Sequence, residues 1–466
     1  MRTTWPLAAS VALATLLACA PAGPGAALAP DQVFEAAKPA VVIVETDNAV
    51  TWSVPQPSLT TAKAQQLRSA VAAMVRTGQV ANNDTAIGQA SVKLLVDNPG
   101  SWFNAGSQRH QQTDSVLALG TAFFVAEDGF LLTNDHVVQS SVDDLRQQLI
   151  DGLQRSGSDP AQVAAFRDEA SAGLGVTLTD AQALRLFQWT LGVFKADLRV
   201  SAVTPTYRIG FGTMSPAAVR SQGLAVQVVA HGQGTPGRDV AVLKAEGGPF
   251  VSLATVSGTP VAGSALAVVG YPCRCGTSGG FDLAQPLRPI LSSGTAREQL
   301  SMAGGWSALG TDAAIEHGDS GGPVMDGSGR VVGLATFSDA AALGTPRSFA
   351  VPTSVAVQFT DQAHVRPAQG SLGQKYAQAV GEYRQDHFRN ALPLFREVSS
   401  AAKHDPYARQ YAALSERAIA SGRDRTPPLM GALPALAVTV YVAVSAIAVV
   451  IGVLVYRRRR RLVRGW

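Results

Sequence analysis

The chain has 466 residues, 46% of them hydrophobic and 15% charged, which supplies apolar material for a large core and places it outside the disordered class. Its formal net charge is +4, yet six arginines lie in the last ten residues, so the remainder is slightly acidic and holds no basic reserve for nucleic acid. No Walker-type GxxxxGK[ST] string occurs and no cysteines and histidines cluster at ligand spacing, so neither a nucleotide cofactor nor a structural metal is implied.

In chain order, residues 1–29 combine Arg2, an apolar stretch from Leu7 to Ala20 and small residues thereafter, which predicts a secretory signal peptide. Leu16-Leu17-Ala18-Cys19 also resembles a bacterial lipobox, so removal and lipidation of Cys19 both stay open. Leu67, Val71, Met74 and Val75 fall at helical spacing. Residues 120–138, GTAFFVAEDGFLLTNDHVV, read as a hairpin: strands at Ala122–Val125 and Phe130–Thr133, a turn at Glu127-Asp128-Gly129, and His136 just past the second strand. Helical spacing returns at Val142, Leu145, Leu149 and Leu153, and at Leu184, Phe187, Leu191 and Phe194, the last run opened by a capping box over Thr179–Gln182.

Asp239 precedes the apolar run Val240–Leu243, and a carboxylate at the start of a buried strand is costly unless paired, for which an imidazole N–H is suited. Cys273 and Cys275 read as a local disulfide or as two free thiols. Ser320 lies in GDSGGP, residues 318–323, which by itself fits a glycine-rich turn as well as a nucleophile loop. A serine hydroxyl needs a base, and the base a buried carboxylate, before it attacks anything.

The order His136, Asp239, Ser320 resembles that of the chymotrypsin-like serine proteases; GTAFFVAEDGFLLTNDHVV (120–138) is similar to the paired strands and histidine of the HtrA/trypsin-like branch, and six more stretches are similar to other parts of it. AAKPAVVIVETD (36–47) is similar to its opening strand, GRDVAVLK to its aspartate strand, and AVVGYP (267–272) with ILSSGTA (290–296) to the strand pair before the serine. TDAAIEHGDSGGPVMDGSGRVVGLATF (311–337) is similar to its nucleophile loop, and RSFAVPTSV (347–355) to its closing strand. The resemblance implies a mainly β fold with two packed antiparallel barrels over residues 30–360, His136 and Asp239 coming from the first and Ser320 from the second. It implies a serine endopeptidase acting on proteins or peptides without a cofactor, with Gly318 and Ser320 as oxyanion donors and Ala314, six residues before the serine, at the floor of the primary specificity pocket. That small residue predicts preference for a small or apolar side chain. A pseudoprotease scaffold is the competing reading, and intact His136, Asp239 and Ser320 speak against it.

Relative to compact members of that family, residues 51–114 and 141–200 are helical insertions, expected to leave the first barrel beside His136. They either cap the cleft on the leaving-group side or pack on each other as decoration. Residues 361–373 read as a linker, and 374–421 resemble a tetratricopeptide helix pair, a C-terminal helical hairpin in place of a peptide-binding PDZ domain. After a juxtamembrane linker, 422–432, the uncharged stretch Leu433–Tyr456 is long enough to span a bilayer, and the arginine-rich tail 457–466 predicts that tail as cytoplasmic and the rest as extracytoplasmic.

Overall fold

The structure, a computed structural model, describes residues 28–273, 282–339 and 347–428, together with 444–447, 449–451 and 453. The chain divides into two compact units, Met1–Gln374 with Ala401–Tyr407, and Lys375–Ser400 with Ala408–Trp466.

In the first unit, helix α1 (Pro30–Ala37) leads into strand β1 (Val41–Ser58), whose β-branched start, Val41-Val42-Ile43-Val44, is fully buried. Helices α2 (Thr61–Arg76), α3 (Asp84–Asp97) and α4 (Pro99–Trp102) bridge to β2 (Asn104–Phe124). β1 and β2 pair antiparallel from Val41↔Phe123 to Ser58↔Asn104. The insertion expected over 51–114 is therefore helical only between its flanks, because the two strands continue as a long ribbon before the helices begin.

Strand β3 (Phe130–Thr133) returns from the predicted hairpin turn into the short helix α5 (Asp135–Val138). Helices α6 (Val142–Ser156), α7 (Pro160–Leu174) and α8 (Asp180–Ala196) follow; none of the α7 residues is fully buried, and Phe166, Ala170 and Leu174 pack only partly against their neighbours, which leaves a weak apolar signal in its sequence. β4 (Arg199–Gly210), α9 (Pro216–Gln222), β5 (Leu224–His231) and β6 (Ala241–Ala245) complete a closed barrel in the order β1-β2-β3-β6-β5-β4. Its core gathers Val42, Val44, Phe124, Leu131, Ile209 and Leu243.

The second half comprises β7 (Ala265–Gly270), β8 (Ile290–Thr295), β9 (Leu300–Ser301), β10 (Ser307–Thr311), β11 (Pro323–Asp326), β12 (Val331–Asp339) and β13 (Arg347–Pro352). They form a seven-stranded sheet in the order β8-β7-β11-β12-β13-β10-β9, not the second closed barrel expected. The reason is local: past β8 the chain meets β10 through one isolated bridge, Ala296↔Thr311, instead of a ladder. Helix α10 (Thr353–Gln362) follows β13. The predicted linker 361–373 is packed, with Ala368 N–H donating to Val125 O at 2.8 Å and Leu372 N–H to Glu127 Oε1 at 2.6 Å.

The insertions pack in two ways. α6 lays Leu145, Leu149 and Ile150 on Val50, Trp52, Val54 and Val116 of the ribbon. Burying each of those α6 side chains contributes roughly 2 kcal/mol. α3 packs instead with α8 and the segment before it, through Val92, Val96, Leu178, Ala183 and Leu186.

Helices α11 (Ser371–Arg384), α12 (Phe388–Ala401) and α13 (Pro406–Ala420) occupy the region expected to hold one helix pair. The extra helix arises because the chain breaks between Arg384 and Phe388, where Asp386 takes a left-handed φ of +60° that ends α11. In the second unit Tyr383, Phe395 and Tyr411 interlock, with ring centroids 4.8 Å apart for Tyr383–Tyr411 and 5.1 Å for Phe395–Tyr411. Among the described residues no helix is long and apolar enough to cross a membrane. The signal segment to residue 27 with Cys19, then Cys275, most of Leu433–Tyr456 and the tail 457–466 lie outside the described residues.

Candidate active site

His136 sits in the single turn of α5, directly after β3, and Asp239 on the loop entering β6, the strand paired with β3. That pairing fixes their separation. Asn134 Nδ2 donates to the Asp239 carbonyl at 2.8 Å, tying the two loops together. Asp239 is fully buried; its Oδ1 accepts the His136 main-chain N–H at 3.0 Å, and its Oδ2 lies 2.7 Å from His136 Nδ1. Thr336 Oγ1 donates to the same Oδ2 at 2.6 Å.

Electrostatics follow from this geometry. Burial pushes the Asp239 carboxyl upward, but the donors from His136 and Thr336 outweigh it and hold the group below its ordinary value. Burial likewise disfavours the His136 cation, and the carboxylates of Asp239 and Asp135 more than offset that, so the imidazole lies above its ordinary 6.5.

Ser320 stands at the tip of the loop between β10 and β11, and with His136 and Gly318 it lines one cleft of about 770 Å³. Its hydroxyl donates to the Thr336 carbonyl at 3.0 Å. The loop is held from beneath by Thr121, which is fully buried on β2. Thr121 N–H donates to Ser320 O at 2.8 Å and Thr121 Oγ1 to Gly318 O at 2.7 Å, while Tyr271 N–H donates to that Oγ1 at 2.9 Å.

Gly318 has φ +98°, and a Cβ there would overlap the Tyr271 carbonyl oxygen, so only glycine fits. Cys273 N–H donates to the His317 carbonyl at 2.7 Å. Because C=O and N–H of one trans peptide point in opposite directions, that bond turns the Gly318 N–H away from the Tyr271–Cys273 segment. Among the described residues neither the Gly318 nor the Ser320 amide donates to a carbonyl, which leaves two donors for a ligand oxygen. Cys273 is disulfide-bonded, and its partner lies outside the described residues.

Asp319 accepts the Glu316 N–H at 2.9 Å but is otherwise enclosed, and burial raises its carboxyl to about 7. A carboxyl raised in the folded state favours folding while protonated, so this contribution is complete below about pH 4 and is lost as pH rises through 7. The shift sets an upper bound of roughly 4 kcal/mol. Asp319→Asn is expected to flatten the fall in thermal stability between pH 5 and 8; an unchanged slope would place the proton elsewhere.

Ala314 is exposed, between buried Ala313 and Ile315, and is not among the residues lining the cleft. The backbone alternates there, so Ala313 and Ile315 point inward and Ala314 out. Sequence reasoning missed Thr336 and Thr121, whose roles depend on contacts 97 and 197 residues away along the chain. Gln112 and residues 114–119 of β2 extend the cleft, as do Leu149 and Leu153 of α6, which agrees with the first of the two readings of the insertions, a cap beside the cleft. Among the described residues no group of three or more His, Cys, Asp or Glu is placed to hold a metal ion.

Residues 120–334 match the family described as the trypsin-like peptidase domain. The serine endoprotease DegS of Salmonella typhimurium is 34% identical over 131 residues, 27% of this chain and 34% of that protein. The serine protease HTRA1B of Danio rerio is 38% identical over 65 residues, 14% of this chain and 13% of that protein. The chain thus aligns with about a third or less of the length of these relatives. A crystal structure of a serine endoprotease from Yersinia pestis aligns with TM-score 0.32 and 15% identity over 72% of this chain and 66% of that one. An M. tuberculosis protease in its active form aligns with TM-score 0.35 and 14% identity over 72% and 86%. Over residues 120–334 the chain is thus similar to a trypsin-like peptidase domain.

Proposed function

We propose that the chain is a membrane-tethered extracytoplasmic serine endopeptidase that hydrolyses peptide bonds in proteins. The observation that carries the reading is the buried Asp239 carboxylate 2.7 Å from His136 Nδ1, in the cleft that Ser320 shares. With the Nδ1 proton held by Asp239, His136 presents Nε2 as a base. Rotation about the Ser320 Cα–Cβ bond exchanges the Thr336 carbonyl for that nitrogen. The hydroxyl then attacks the amide carbonyl, the proton passes to Nε2 and on to the leaving amine, and water repeats the sequence to release the acyl group. The free amides of Gly318 and Ser320 receive the oxyanion. Tethering is supported by the uncharged stretch Leu433–Tyr456 and by the exposed apolar side chains of Val444, Ile447, Val449 and Ile451 within it.

The test is labelling of the purified protein with a fluorophosphonate, beside Ser320→Ala and His136→Ala. Labelling of the wild type alone supports the reading. A folded wild type that stays unlabelled points to a non-hydrolytic scaffold.

The rate of labelling is also expected to depend on pH in one direction. His136 must be neutral to act as base, so the rate rises with pH, with its midpoint above 6.5. A midpoint below 6.5 would mean that Asp239 does not support the imidazolium.

A further inference from the structure

The barrel leaves one strand edge open beside the candidate site. β2 pairs with β1 without a break from Arg109 to Phe123, but with β3 only at Phe123↔Leu132 and Phe124↔Leu131. In an antiparallel ladder, alternate residues direct both main-chain groups to the same side. Thr121 fixes the parity: its N–H goes to Ser320 O at 2.8 Å and its C=O accepts Thr133 Oγ1 at 2.7 Å, both away from β1. Asn48 Nδ2 of β1 donates to Val116 O at 3.2 Å, so even-numbered residues face β1, as that parity requires. The β1–β2 register runs unbroken from Val41↔Phe123 to Pro55↔Arg109. Leu119, Leu117, Ser115 and Thr113 therefore turn N–H and C=O outward, and among the described residues these groups have no main-chain partner.

Leu119, Leu117 and Ser115 of this edge also line the cleft that holds Ser320 and His136, together with Leu149, Gly152 and Leu153 of α6. β2 runs toward the site, whereas the leaving half of a substrate runs away from it. A substrate chain lying in the cleft is thus antiparallel to β2. From Leu119 to Thr113 the edge measures about 20 Å, room for about seven extended residues.

Resting on the endopeptidase reading, we propose that the segment after the scissile bond binds as an added antiparallel strand on the 113–119 edge of β2, beneath α6. The substrate class is an extended chain with apolar residues at every second position after the cut, those side chains meeting Leu149 and Leu153. The edge continues directly from the Thr121–Ser320 contact, which is why the occupant is the substrate's own leaving segment.

The test measures binding to the full-length Ser320→Ala protein by fluorescence anisotropy. The probe is a labelled peptide with alanine before the scissile position and eight alternating valine and threonine residues after it. Cutting the leaving side to two residues is expected to weaken binding about tenfold or more. N-methylation of the alternate amides that face β2 is expected to do the same, and N-methylation of the intervening amides to change little. Equal affinity for long and short peptides, no difference between the two N-methyl series, or no binding overturns the proposal. Fluorophosphonate labelling of the wild type reports on the nucleophile separately, so a labelled enzyme without alternation sinks strand addition alone. Alternation in an unlabelled protein sinks the hydrolytic reading and keeps the strand site.

Discussion

Asp239→Asn is expected to lower the rate of fluorophosphonate labelling by about four orders of magnitude in a protein that folds normally. The cause is a mismatch of donors. Wild-type Asp239 presents only acceptors: Oδ1 to the His136 main-chain N–H at 3.0 Å, and Oδ2 to His136 Nδ1 at 2.7 Å and Thr336 Oγ1 at 2.6 Å. An asparagine must place its NH₂ at one of those corners. Set against the main-chain N–H, it brings donor against donor with no escape, since that hydrogen cannot move. Set against Nδ1, it forces that nitrogen to accept, and the ring proton moves to Nε2. The nitrogen facing Ser320 is then already protonated and cannot act as base. A loss of less than tenfold, with folding intact, would show that Asp239 does not fix the tautomer.

The second large effect is expected at Gly318. With φ +98° and no room for a Cβ against the Tyr271 carbonyl, Gly318→Ala must displace the 317–318 peptide. Losing one pre-aimed amide is expected to slow labelling by about 10² to 10³. His136 and Asp239 belong to the other half and keep their bond, so the His136 pH midpoint should stay where it was. A variant with wild-type rate would remove Gly318 N–H from the oxyanion site; a shifted midpoint would mean that the loop also sets the histidine.

How much of this was legible in the sequence depended on whether the cause was local. Helical spacing at Leu145, Leu149 and Leu153, and the cap at Thr179 and Gln182, need only neighbours along the chain, and the structure forms α6 and α8 there. The carboxylate at Asp239 was legible for a similar reason, a charge directly before a buried strand. Strands β4 and β5 were not, because their burial alternates weakly on a surface half open to solvent. The lengths of β1 and β2 were hidden too, since polar residues such as Gln111, Gln112 and Thr113 are held in strand by pairing with Ser53, Trp52 and Thr51 rather than by their own propensity. Ala314 shows the limit of counting from a motif, because its direction depends on the backbone around it.

Thr121 carries one last consequence. A single buried residue of the first barrel holds the Gly318 and Ser320 carbonyls and the Tyr271 amide of the second half. The nucleophile loop therefore takes part of its shape from docking, beside the bonds it makes within its own half. Unfolding of the first half is therefore expected to release those carbonyls and to remove His136 and Asp239 with them. On the proposed reading, cutting is then confined to a protein in which both halves are folded.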